Sequence, residues 1–250
     1  MTRRITLSAN TIAGLIAAAA PAPRVGPTIA IKNQSTVVTD AQVTAVVTAL
    51  QIQLDRDYAP AWGETATLVF LNKNQPIPAG AWPIYVLDNS DVAGALGYHD
   101  ESLGVPYGRI FVKTCVQYGY SWTVTLSHEL LEMINNPNVN LTVFNQTSNT
   151  HGRIYFHEVG DACEDDSYGY LINGIKVSDF VWPAWFDPAQ TAPGTRYDQQ
   201  RAITAPFQIL PGGYVSVFTV SGGSGWTTLT HRDVEVAPGQ DKSGRNRMDR

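Results

Sequence analysis

Long apolar runs are missing from this 250-residue chain. Nowhere do about twenty apolar residues follow one another, so no membrane-spanning helix is expected. An excess of positive charge is missing too. Lys and Arg number 17 against 22 Asp and Glu, a formal net charge of −5, which leaves no overall electrostatic footprint for nucleic acid. The one basic cluster, "GRNRMDR" at 244–250, is a short polar tail. Cysteine is scarce: Cys115 and Cys163 cannot make a disulfide framework. Two buried free thiols are the expected state, with a single bridge as the alternative. Charged residues of either sign make up 16% of the chain and hydrophobic ones 44%, the balance of a soluble globular protein with a large core.

What is present divides into four stretches. Residues 1–27, "MTRRITLSANTIAGLIAAAAPAP" and its continuation, read either as a short amphipathic helix or as a leader with twin arginines. Ser8, Asn10 and Thr11 interrupt the apolar run, and a cytoplasmic or virion-associated place is expected over export. Residues 28–150 alternate strand and helix. "TIAIKN" is β-rich, and the run from Thr39 to Tyr58 is the clearest helix, opened by a Thr39/Gln42 capping box and ended by "APAWG". "TATLVFL" (65–71), "WPIYVLD" (82–88) and "RIFVKTC" (109–115) read as strands. A second helix is expected from about Ser121 to Asn135, stopped by Pro137. Residues 151–235 read as β and loop, with Asn173-Gly174 as a type I′ hairpin turn and "APFQIL" and "GGYVSVFTV" as further strands. Residues 236–250 are a polar tail. The whole is an α+β layer arrangement, a small mixed sheet with two main helices followed by a β-rich half.

The chemistry concentrates in the second helix, "SHELLEMINNP". His128 and Glu132 stand one turn apart and share a helical face. Glu129 lies about 100° round, within reach of a water held by an ion between the other two. Zinc peptidases use this spacing, with two ligands and a general base on one helix. Here glutamate replaces the usual second histidine. Zinc accepts carboxylate oxygen, and the added negative charge also admits a harder divalent ion. Leu126, Leu130, Leu131, Met133 and Ile134 interleave the charges, so the helix is expected to be buried. A buried His and Glu then need partners or an ion.

A further ligand is expected from "FHEVGDACEDD", which holds His157, Glu158, Asp161, Glu164 and Asp165. Asp161 ranks first because Gly160 offers a turn that aims a short carboxylate inward. His157 follows on ligand chemistry, then Glu164. In the Gly-rich "GALGYH", Tyr98 and His99 are candidate substrate-binding residues. These two, or Tyr168, could donate to a developing oxyanion; packing is the alternative for each.

The runs "TDAQV", "DYAPAWG", "GALGYHD", "SHELLEM", "DACEDD" and "VSDFVWPAWF", together with the order of elements, resemble an uncharacterised zincin-like group of bacteria and phages. The likeness covers the chain from about residue 28 to 215. It implies the metallopeptidase fold and a metal centre. Two functions are open at this point. One is a zinc-dependent hydrolase of peptide or protein substrates. The other is a non-catalytic zincin-like structural or binding protein, such as a phage virion component, contacting neighbouring subunits.

Overall fold

The computed structural model describes residues 26–220 and 225–235. Nearly all of the 1–27 extension and the whole 236–250 tail lie outside the described residues.

Five strands form the first sheet: β1 (Thr28–Asn33), β2 (Thr67–Leu71), β3 (Trp82–Leu87), β4 (Gly97–Ser102) and β5 (Val105–Phe111), in the order β2-β1-β3-β5-β4. The first four of that order run parallel, and β4 pairs antiparallel with β5 at the edge. That reversal is local chemistry. Only Leu103 and Gly104 join β4 to β5, with φ of 53° and 80°, the positive pair that a two-residue hairpin requires.

Helix α1 (Asp40–Gln53) begins with the capping box read from Thr39 and Gln42. A π turn (Leu54–Tyr58) and a last helical turn α2 (Ala59–Trp62) continue it to Gly63, whose φ of 80° ends it. "APAWG" is thus partly helical and not simply a terminator. The strand expected over 109–115 also needs correction. It starts earlier and leaves the sheet at Phe111, because residues 112–118 form helix α3 (Val112–Tyr118). Val112 and Cys115 bury one face at helical spacing, and the amides of Lys113 and Thr114 turn to the Asp88 carbonyl.

Helix α4 (Trp122–Asn135) is almost wholly buried from Val124 onward. Asp166 Oδ2 accepts from the Ser121 amide at 2.7 Å, closing its N-terminus. A buried chain of hydrogen bonds fixes its middle. Ser127 Oγ donates to Gln53 Oε1 (2.7 Å), Gln53 Nε2 donates to the Ser178 carbonyl (2.9 Å), and the Ser178 amide returns to Ser127 Oγ (3.0 Å).

The second sheet, β11-β10-β7-β6, is antiparallel and built from β6 (Thr142–Gln146), β7 (Gly152–Phe156), β10 (Tyr214–Thr219) and β11 (Trp226–Thr230). The boundary expected at 150/151 falls inside its β6–β7 hairpin, and one core cluster draws on both halves, from Ile29 to Val217. The Asn173-Gly174 turn joins β8 (Tyr170–Ile172) to β9 (Ile175–Val177), with φ of 51° and 79°. "APFQIL" is not a strand. Its amides serve separate partners, Phe207 bonding to the Trp185 carbonyl and Leu210 to that of Ala162. A short helix α5 (His231–Glu235) closes the described chain. Cys115 and Cys163 are both free and buried. Among the described residues no helix is long and apolar enough to cross a membrane.

Candidate metal centre

His128, Glu132 and Asp161 come together. One ligand atom from each lies within 4.8 Å of the others, with His128 Nε2 3.1 Å from Glu132 Oε2 and 3.5 Å from Asp161 Oδ1. Their exposures are 5%, 3% and 5%, so each is withdrawn from water. Helical spacing supplies the first two. Asp161 arrives on a 3-10 turn (Asp161–Cys163) that follows Gly160. The Gly160 amide donates to Glu132 Oε1 at 2.9 Å, leaving Oε2 toward the histidine. A Cβ on Gly160 would stand 2.4 Å from His128 Nδ1. Glycine is therefore required by the closeness of the imidazole, since the φ of −96° suits any residue.

His99, one of the two residues expected to touch substrate, instead meets the acids. Its Nδ1 is 3.1 Å from Glu129 Oε2 and 3.8 Å from Glu132 Oε2, and its Nε2 is 3.8 Å from Glu158 Oε2. The strand reaches the helix because Gly97 has no side chain. A Cβ there would sit 2.8 Å from Thr125 Cγ2. Tyr98 also borders the cleft, although it alternates to the other face of β4 from His99. Its ring packs near Tyr107 and Phe111, and its hydroxyl donates to Asp91. Burial, with Asp91 nearby, pushes that phenol up to about 12.

The downstream cluster divides by face. Asp161 and Glu158 turn inward, and Asn136 Nδ2 holds Glu158 Oε1 at 3.1 Å. His157 turns away and stacks on Phe186, centroids 4.4 Å apart, with Trp62 edge-on at 5.4 Å. Burial lowers its pKa. Glu164 borders the cleft, outside both clusters of ligand atoms. Asp165 accepts from the Ser167 amide and serves its own turn. Tyr168 packs against the core, outside the cleft lining. Two participants were not anticipated as such. Glu158 stood unranked among its neighbours. Tyr214 reaches Asp161 by a side-chain hydrogen bond because Gly213 lets β10 start against the Ala162 backbone. Alternation in "GYH" could have placed His99 on the face of Gly97; nothing local announces Tyr214.

No lysine or arginine borders this cleft among the described residues. The titration of its groups follows. Burial raises Asp161 to about 6, aided by the charge of Glu132 and opposed by His128 and Tyr214. Glu158 is raised well above the carboxylate range by burial, Glu132 and Asp161. Burial would depress both imidazoles, yet the surrounding carboxylates outweigh it and raise His128 strongly and His99 as well. Several buried ligand atoms meet no hydrogen-bond partner, among them Asp161 Oδ1, Glu158 Oε2 and His99 Nε2. A buried cluster of carboxylates and imidazoles with unsatisfied ligand atoms suits a divalent ion. Compared with protein-family models, with curated proteins and with solved structures, the chain matches none.

Proposed function

We propose that this chain is a zincin-like, metal-dependent hydrolase of peptide bonds, with His128, Glu132 and Asp161 as ligands and Glu129 as general base. One observation carries the reading. An imidazole and two carboxylates converge in a buried cleft that no lysine or arginine borders among the described residues, and the glutamate that follows the histidine borders the same cleft. One nitrogen and two oxygen donors suit zinc, and three protein ligands leave a position for water. The carboxylate content also admits another divalent ion.

When bound, the ion would lower the pKa of its water and polarise the scissile carbonyl. Glu129 would serve as the general base, accepting a proton from the attacking water and passing it to the leaving nitrogen. His99 Nδ1 holds one oxygen of Glu129, which orients the carboxylate and leaves the other oxygen for proton transfer. Among the described residues β4 is an edge strand, and its residues 97–99 border the cleft; an extended peptide can add to such an edge through its backbone. This favours peptides over compact substrates.

The test is hydrolysis of a casein-type substrate and of a peptide library by zinc-loaded protein. Glu129→Gln is expected to lower turnover by about 10²–10⁴-fold with zinc content unchanged. Equal turnover in variant and parent would remove Glu129 from the role. Zinc bound without turnover in the parent would instead support the non-catalytic reading, a structural or binding protein such as a virion component.

A further inference from the structure

We infer that the cleft holds two divalent ions per chain, with Glu132 as a bridging carboxylate and His99 and Glu158 as ligands to the second. The inference rests on reading His128, Glu132 and Asp161 as the first site.

Three observations carry it. The first is a second cluster: one ligand atom each from His99, Glu132 and Glu158 lies within 4.8 Å of the other two. Glu132 belongs to both clusters, so the two sites would share one carboxylate, as paired metal sites commonly do at separations of about 3.5–4 Å. The second is orphaned donor atoms. His99 Nε2 and Glu158 Oε2 are buried and meet no hydrogen-bond partner, and they face each other at 3.8 Å on side chains only 6% and 10% exposed. An ion between them would satisfy both. His99 Nδ1 meanwhile contacts Glu129 Oε2. A carboxylate on one ring nitrogen fixes the tautomer that leaves the other nitrogen free to bind a metal.

The third observation is charge. Glu129, Glu132, Glu158 and Asp161 all sit in the interior of the cleft, and no lysine or arginine borders it among the described residues. Two dications balance four ionised carboxylates with both histidines neutral and free to act as ligands. Glu164, Asp165 and Asp166 at the cleft are partly exposed and can be solvated.

Zinc stoichiometry decides the matter without any substrate. Metal-free full-length protein is dialysed against buffered Zn²⁺ and analysed for metal per chain, with circular dichroism as the control for folding. Two ions per parent chain are expected. Glu158→Gln, which keeps the acceptor for Asn136, and His99→Ala should each retain one, as should His128→Ala. Glu132→Gln, which keeps the acceptor for the Gly160 amide, should weaken both binding steps by about tenfold or more. One ion in the parent, lost in His128→Ala and kept in Glu158→Gln, would overturn the second site and leave the first standing. No ion in the parent would overturn both. Two ions in the parent that survive Glu158→Gln and His99→Ala would overturn the ligand assignment. If a variant fails to fold, the parent count still decides between one ion and two.

Discussion

The Gly160 amide donates to Glu132 Oε1 at 2.9 Å while the same glycine leaves no room for a Cβ beside His128. One residue thus aims a carboxylate and seats an imidazole. Neither effect depends on an unusual backbone angle, which makes the position a direct probe of the centre.

Gly160→Ala places a methyl group 2.4 Å from His128 Nδ1. The imidazole must rotate or the turn must retreat, while the Glu132 hydrogen bond to the backbone survives. Zinc affinity is expected to fall by about 10–100-fold in a protein that still folds. Competition with a chromophoric chelator measures it. Unchanged affinity would mean that His128 does not bind the ion through this orientation.

Ser127→Ala removes the hydroxyl that links α1, α4 and the Ser178 segment. The Ser178 amide and Gln53 Oε1 are left buried without that partner. A loss of about 1–3 kcal/mol is expected, read as a lower urea midpoint at unchanged slope. No change would show that the chain of bonds is replaced by water.

A pH test comes from a carboxyl pair outside the cleft. Asp179 Oδ1 accepts from the Phe180 and Gln200 amides, while Oδ2 receives no donor and the side chain pairs with that of Asp198. Burial and Asp198 raise Asp179 well above the carboxylate range. The folded state therefore holds a proton that the unfolded chain releases above about pH 4, so this carboxyl subtracts stability as pH rises toward its folded pKa. Asp179→Asn keeps the backbone acceptor and offers a permanent donor to Asp198. The variant should match the parent near pH 4 and exceed it increasingly toward pH 8. Denaturant midpoints across that range check the sign, and a gap that narrows with pH would refute it.

Metal should also stabilise the fold. At free zinc of about 100 times Kd, binding to the native state alone contributes about 2.7 kcal/mol. For a chain of this size that raises Tm by roughly 5–10 °C. Thermal scans with zinc or chelator measure the difference, which Glu129→Gln should preserve and His128→Ala should reduce. A Tm indifferent to zinc in the parent would argue against the centre.

The sequence by itself carried what is periodic or local. The capping box at Thr39, the helix bearing His128 and Glu132, and the Asn173-Gly174 turn depend on neighbours a few residues apart, so their signals are short-range. Strand limits were less legible. The run 109–115 is apolar and β-branched enough for a strand, yet hydrogen bonds to Asp88 from a distant loop turn its second half into helix.

Which acid joins the helix was a different kind of question. Five candidates within nine residues, one imidazole and four carboxylates, can all ligate a metal, and the packing of Phe186 and Trp62 around His157, against the turn of Gly160 toward His128, is decided only in the fold. His99 joined the acids because an edge strand 29 positions before His128 lies against the helix through the bare Cα of Gly97. Spacing along the chain determines what one helix presents. What meets it across the cleft is decided by tertiary packing, because contacts between distant segments leave no periodic trace in the sequence.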